Sequence, residues 1–351
     1  MTGNVLIRAD ASAEIGAGHL MRCIALAQAL RENAWQPRFA IAHDLPAVRQ
    51  RLAEENLAAS KIAASPGGSR DAELTLDLAE ETGADWTVID GYQFDAPFQR
   101  QLKNSGLRLL CIDDVASCSH YYADAVVNQN ISAANLNYDA REPYTKLLLG
   151  TNYTLLRDEY LQCGKEARCV PDLARRILIT LGGADNSGAT EIILRAITEL
   201  EIEGLELVVL ISSRHPERPE LERLAAAAAH QVRFVVDATA IAEYMVWADL
   251  AVSAGGGTSW ELAYLGVPTL MVILADNQEP SVRELARRGA VLDLGTAASL
   301  AVDMVKDSVS QICRNPVKRR RLSVASGALV DGLGSRRVAE FLINNGTKDR
   351  S

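Results

Sequence analysis

The sequence predicts an α/β protein of two Rossmann-like parallel-sheet domains. Three observations predict it. Short apolar runs alternate with helical stretches, the alternation breaks once over residues 150–172 and then restarts, and the chain is 351 residues long. That length exceeds one ordinary core and suits two domains. Strands written as continuous apolar runs belong in parallel sheets covered by helices on both faces.

Val5–Arg8 is the first strand, followed by a glycine-containing loop and a helix from His19 to about Asn33. Arg38–Ala42 reads as a strand and Asp44–Glu55 as a helix, and Trp86–Asp90, Leu107–Ile112 and Val126–Asn128 are further strands. After the irregular charged segment come the strands Arg176–Leu181, Leu205–Ser212, Val232–Val236, Leu250–Ser253 and Thr269–Ile273. Between them lie the helices Gly188–Leu200, Pro219–His230, Ala240–Trp247 and Thr258–Leu265. The expected domains are 1–156 and 157–351, with a last helix over about 334–345 as the element that can cross back to the first domain.

Composition narrows the function. Hydrophobic residues make up 48% and charged residues 23%, as in ordinary globular proteins, while 5% aromatics disfavours a sandwich or a carbohydrate module of stacked rings. A net charge of −9 argues against nucleic acid as the partner, since that affinity rests on neutralising phosphates. The basic run Lys318–Arg321 reads as the solvated face of a late helix. Six cysteines form no CxxC pair and Cys163 and Cys169 have no histidine nearby, so reduced thiols and no metal are expected. Neither a signal peptide nor a stretch of about 20 apolar residues is visible, so the expectation is a cytoplasmic protein with no membrane span.

In an open α/β sheet, ligands sit beyond the carboxyl ends of the strands, so the loops after strands carry the chemistry. The first loop, Arg8 to His19, holds Gly16 and Gly18 where the chain turns into a helix, which lets an anion approach free amides. A GxGxxG dinucleotide motif fails because Met21 stands at its third glycine position. A tight turn with a capping histidine would explain a lone GxG. Asp10 and His19 together favour a site, with the helix start holding the imidazole neutral as a base and Asp10 orienting it or holding a hydroxyl. Asp90-Gly91-Tyr92 ends another strand and is as much a common turn as a ligand-facing one, whereas Asp113-Asp114 reads as a loop or helix cap. Gly182-Gly183 opens the third loop without the Lys-Ser/Thr of a P-loop. The fourth, Gly255-Gly256-Gly257-Thr258-Ser259-Trp260-Glu261, places three glycines and two hydroxyls at a helix start, a cradle for a diphosphate, with Glu261 able to accept from ribose hydroxyls. Asn277-Gln278 follows the next strand and suits sugar hydroxyl or N-acetyl contacts.

In order, Arg8-Ala9-Asp10 to Gly18-His19 and Arg22, Ile89-Asp90-Gly91-Tyr92, Gly182-Gly183-Ala184-Asp185, Ser253 to Glu261, and Asn277-Gln278 resemble the UDP-2,4-diacetamido-2,4,6-trideoxy-β-L-altropyranose hydrolase family of pseudaminic acid biosynthesis. The resemblance runs from about residue 5 to residue 290 and includes Leu149 to Tyr160 at the domain junction. It implies a GT-B fold, two Rossmann-like domains facing across a cleft, and a substrate carrying UDP. His19 then matches the catalytic histidine that activates water for inverting attack at C1, without metal or cofactor. Glu261 matches the acid on ribose, Gly256, Gly257, Thr258 and Ser259 the diphosphate cradle, and Asn277 and Gln278 the amide pair near sugar and phosphates. Gly16, Gly18, Arg22, Asp90, Tyr92 and Gly183 complete the substrate contacts, with uracil against backbone near Val236. Gly91 departs from the histidine between these residues in the family, which bears on substrate recognition. The implied partners are the UDP-sugar and other enzymes of nonulosonic acid synthesis. Fused members carry an acetyltransferase domain, which this chain is expected to lack.

Two rivals remain. A GT-B glycosyltransferase would use a UDP-amino-sugar donor and usually shows a membrane-facing patch, where Asp44–Glu55 here carries both charges and no aromatic belt. A non-catalytic nucleotide-sugar binding protein would keep the Gly255–Glu261 cradle but has no need of His19.

Overall fold

The apolar runs become interior strands because both faces of each are buried. The computed structural model describes residues 2–12, 15–164, 168–182, 185 and 187–346. In chain order the elements begin β1 (Asn4–Ala9), α1 (Gly18–Glu32), β2 (Gln36–Ile41), α2 (Pro46–Glu54), β3 (Ala58–Lys61), α3 (Ser69–Glu81), β4 (Trp86–Asp90) and α4 (Ala96–Asn104). They continue with β5 (Leu109–Ile112), β6 (Ala125–Asn128), β7 (Lys146–Leu149), α5 (Asp158–Gln162), β8 (Arg176–Thr180), α6 (Ala189–Thr198) and β9 (Glu206–Ile211). Then come α7 (Arg218–Ala227), β10 (Gln231–Val236), α8 (Ile241–Trp247), β11 (Leu250–Ala254), α9 (Thr258–Tyr264), β12 (Thr269–Ile273) and α10 (Glu279–Arg287). Last are β13 (Leu292–Thr296), α11 (Val302–Cys313), α12 (Pro316–Gly327) and α13 (Gly334–Asn344).

Contacts divide the chain into two units, one of Met1–Asp158 with Gly332–Ser351 and one of Glu159–Asp331. The first holds a seven-stranded sheet ordered β3-β2-β1-β4-β5-β6-β7, and the second a six-stranded sheet ordered β10-β9-β8-β11-β12-β13. Every strand pair is parallel, from Val5 beside Trp86 to Ser253 beside Thr180. Each order reverses direction once, between β1 and β4 and between β8 and β11. At such a switch point the loops leaving the two central strands turn to opposite faces, which opens a crevice at their carboxyl ends.

The last helix, α13, groups with the first unit, so the stretch 332–351 of the expected second domain lies with residues 1–158. Val338, Ala339 and Leu342 enter the same core as Leu20, Cys23 and Ala27 of α1. Trp86 Nε1 donates to the Leu342 carbonyl at 3.0 Å. Gly334 starts the helix against the backbone of Thr154, where an added Cβ would lie 2.2 Å from the carbonyl oxygen. Only glycine allows that approach.

One charge sits in the middle of the first sheet. Arg8 is fully buried, its Nε and Nη2 each 2.9 Å from a different oxygen of Asp71, and its Nη1 2.5 Å from Asp10. The guanidinium also stands 5.1 Å over the Phe94 ring. The other Asp10 oxygen accepts from the amides of Ala42 and His43 at 2.7 and 3.0 Å, tying the end of β1 to the end of β2. This corrects the expectation for Asp10: its side chain is buried and its oxygens are taken, so neither turns to the imidazole or to a hydroxyl. The basic run is likewise only partly solvated. Arg319 is buried and donates to the Ile312 carbonyl at 2.6 Å, while Lys318, Arg320 and Arg321 are exposed. All six cysteines are unpaired. Among the described residues no group of His, Cys, Asp and Glu could hold a metal ion, and no helix is long and apolar enough to cross a membrane.

Asp10→Asn should therefore act on stability. It leaves the buried guanidinium short of an ionised partner and is expected to cost about 1–3 kcal/mol, read from urea denaturation. A variant as stable as the parent would show that Asp10 is not part of this clasp.

Candidate active site

The strand order of the first unit sets β1 beside β4, so the loops at their carboxyl ends share the switch point. The loop after β1 turns at Gly16, whose φ is +73° and whose amide donates to the Ser12 carbonyl at 2.9 Å. A side chain there would be strained. Gly18 opens α1, and an added Cβ on either glycine would meet nothing within 4 Å. The turn delivers His19 as the second residue of α1.

His19 meets Asp90, the last residue of β4. Nδ1 of the ring lies 2.6 Å from one Asp90 oxygen. An ionised carboxylate only accepts, so that contact assigns the proton to Nδ1 and leaves the Nε2 lone pair to take another. Arg22, one turn further along α1, grips the same carboxylate with Nε and Nη2, both at 2.6 Å. Its Nη1 reaches Asp114, in the loop after β5, at 2.5 Å. Cys23 adds a weak thiol donor to Asp90 at 3.4 Å. Tyr92 stands edge-on to the imidazole with ring centroids 5.2 Å apart and is 49% exposed.

The charges decide the protonation states. For Asp90, burial opposes ionisation most, but Arg22 and His19 outweigh it and hold the carboxyl far below the usual range. For His19, burial is the largest influence and lowers the pKa, yet the charge and hydrogen bond of Asp90 prevail, so it is raised from 6.5. This reverses the expectation that the helix start depresses the imidazole: a buried carboxylate in contact outweighs a helix dipole. Arg22 is also corrected. It was expected to contact substrate, but its guanidinium is spent on two carboxylates and lies 3.0 Å from His19 Nδ1. Asp114, expected as a loop or cap residue, instead joins this cluster through Arg22. Its signal in the sequence is an acid two residues beyond β5, the strand next to β4.

In the second unit the loops after β8, β11 and β12 share the carboxyl edge at the switch point. Gly255 is a packing glycine, since an added Cβ would lie 2.3 Å from the Val282 methyl of α10. Gly256 and Gly257 differ: a Cβ would come no nearer than 4.0 Å, to Gln278 Nε2, at the first and meet nothing within 4 Å at the second. Gln278 accepts from the Leu274 amide through Oε1 at 3.0 Å, which aims its amide nitrogen toward Gly256. Thr258 and Glu261 are half-buried at the start of α9, and Asn277 is exposed. Ser259 is corrected, because it is buried and its hydroxyl donates to the Ala254 carbonyl at 3.3 Å. Val236 ends the edge strand β10, separated from β11 by β9 and β8. Gly183 lies outside the described residues. Asp185 nearby caps α6 by accepting from the Thr190 amide and hydroxyl at 2.7 and 2.8 Å.

Residues 176–325 match the glycosyltransferase family 28 C-terminal domain. The chain is 25% identical over 281 residues to protein MJ1062 of Methanocaldococcus jannaschii, covering 78% of this chain but only 56% of that protein. It is 25% identical to the spore coat polysaccharide biosynthesis protein SpsG of Bacillus subtilis, covering 97% of both chains. It is 23% identical over 290 residues to the UDP-2,4-diacetamido-2,4,6-trideoxy-β-L-altropyranose hydrolase of Campylobacter jejuni, covering 81% of this chain and 97% of that one. Among solved structures, MurG of Acinetobacter baumannii superposes with a TM-score of 0.68 at 16% identity, covering 97% and 99% of the two chains. The UDP complex of MnaA from Staphylococcus aureus gives 0.68 at 13% identity, covering 99% of each. These likenesses show the fold: two Rossmann-like parallel-sheet domains of the GT-B type.

Proposed function

We propose that the chain hydrolyses a UDP-linked 2,4-diacetamido-2,4,6-trideoxy sugar to free sugar and UDP, with inversion and without a metal, as a cytoplasmic step of nonulosonic (pseudaminic) acid synthesis. The observation that carries this reading is the His19–Asp90 pair at the β1/β4 switch point, a base with its orienting carboxylate 2.6 Å away. The ordered motifs shared with the hydrolase family and the 23% identity to its Campylobacter jejuni member support the substrate class.

In this reading His19 Nε2 takes a proton from water as the water oxygen forms a bond to the sugar C1. The bond from C1 to the diphosphate oxygen breaks, and its electron pair leaves with UDP. Asp90 steadies the imidazolium that forms. The amides of Gly256, Gly257 and Thr258 and the Thr258 hydroxyl receive the charge that grows on the diphosphate. Ser259 lends its backbone only. Glu261 holds the ribose, Val236 borders uracil, Asn277 and Gln278 meet sugar and phosphate, and Tyr92 with Gly16 and Gly18 frames the approach to His19. Gly183 belongs to the same proposed set. The other enzymes that make and use the sugar are the proposed partners. A second reading, transfer of the sugar to an acceptor, is favoured by the match of residues 176–325 to the family 28 domain.

UDP release measured without any acceptor separates the two. Hydrolysis predicts turnover with water alone, and transfer predicts none. His19→Ala should lower kcat by roughly 10²- to 10⁴-fold while leaving UDP binding intact. Near-normal turnover would remove the base assignment.

The working base must be neutral, so kcat/KM should rise with pH through a midpoint above the ordinary histidine value of 6.5. Because the folded pKa is raised, the pair also stabilises the fold below pH 6.5, and that contribution fades as pH rises through the midpoint. A rate profile flat from pH 6 to 8 would contradict the assignment.

A further inference from the structure

Proton abstraction by His19 creates a positive charge in a place where charge is expensive, because the side chain is only 11% exposed. The neighbouring charges therefore decide whether the step is feasible. Asp90 alone would suit it, as the carboxylate of an acid–base pair does. Arg22, however, sits on Asp90 with two hydrogen bonds and already neutralises it. With only those two residues, the cluster would pass from neutral to singly positive when His19 takes its proton. Arg22 would oppose the reaction that Asp90 supports.

We infer that Asp114 is a positioning residue for His19, acting through Arg22: it draws the guanidinium's charge to itself and leaves the cluster one negative charge to receive the imidazolium. The inference rests on the reading of His19 as the base. Asp114 lies 2.5 Å from Arg22 Nη1, the nitrogen that Asp90 does not use. Two carboxylates against one guanidinium leave a single negative charge, so protonation of His19 brings the cluster to neutrality. Asp114 does not touch the imidazole, and its side chain is 18% exposed. Asn130 holds it, its amide nitrogen 3.3 Å from both the backbone oxygen and one carboxylate oxygen of Asp114. The groups facing His19 are thus Asp90 and Tyr92 from β4 and its loop, Arg22 from α1, and Asp114 from the loop after β5. Of these, the two carboxylates favour the charged ring and Arg22 disfavours it.

The same contact has a geometric role. Pulled from one side by Asp90 and from the other by Asp114, the guanidinium is fixed between β4 and the loop after β5. The Asp90 oxygen that accepts from His19 also accepts from Arg22 Nη2, so a guanidinium that drifts takes the ring's partner with it.

The test is the titration of His19 in the whole, ligand-free protein, followed by the C2 proton of its ring in NMR, with His19→Gln identifying the signal. Asp114→Asn keeps the shape and removes the charge, and should move the midpoint to lower pH. Both the loss of a favourable charge and the uncompensated Arg22 push it that way. Asp114→Glu should return it toward the parent. On the alkaline plateau, kcat for Asp114→Asn should fall by about tenfold, a part of what a general base supplies, with KM little changed. Should Asp114→Asn fold poorly, Asp114→Ser offers the same charge change in a smaller side chain. A folded variant whose His19 midpoint matches the parent overturns the inference. The titration needs no substrate, so a shifted midpoint in a protein that releases no UDP would retain the charge coupling and remove the hydrolase reading instead.

Discussion

A single carboxylate organises the first unit's chemistry. Asp90 is buried at the end of a central strand, where a bare charge would be costly, and it remains ionised because Arg22 and His19 both bind it. That constraint runs both ways. The carboxylate needs its partners to be charged in the interior, and the imidazole needs the carboxylate to be held in one tautomer and one orientation. Losing one partner of such a buried set leaves the others uncompensated, at a cost of roughly 3–5 kcal/mol. The site and the local fold are therefore stabilised by the same contacts.

The sheet topology makes the pairing possible. His19 and Asp90 are 71 residues apart in the chain and meet because β1 and β4 are adjacent where the strand order reverses. The second unit reverses its strand order between β8 and β11, and there Gly256 and Gly257, after β11, lie beside Gln278, after the neighbouring β12. Equivalent positions in two related sheets thus hold different chemistry. One carries titratable side chains, and the other carries glycine backbone with open space around it and the Gln278 amide.

The central strands were legible from sequence because a strand buried on both faces must be apolar throughout, as Trp86–Ile89 and Thr269–Ile273 are. Strand β3 was not, since Ala58–Lys61 forms a half-exposed edge with no apolar run to mark it. His19 stood out from its glycine turn. Its partner did not, because Asp10 is nearer in the chain, whereas the pairing of Ala9 with Asp90 sets both acids at one sheet end and only Asp90 accepts from the imidazole. Asp10 instead serves Arg8, a buried cation whose need for carboxylates cannot be seen until the sheet is assembled. Ser259 shows the same limit on a smaller scale. Its position suggested a phosphate ligand, but the helix turns the hydroxyl back onto the Ala254 carbonyl. Glycines can be sorted only with neighbours in place, which separates Gly255, pressed on Val282, from Gly256 and Gly257.

The measurement that bears most directly on a water-activating histidine is the fate of solvent oxygen. In H₂¹⁸O with a UDP-2,4-diacetamido-2,4,6-trideoxy sugar, attack by a water activated at His19 should place one heavy atom on C1 of the released sugar, in the inverted anomer, and none in the UDP. Label in the nucleotide would show cleavage at phosphorus, and retention of the anomeric configuration would show an intermediate that a lone activated water does not produce.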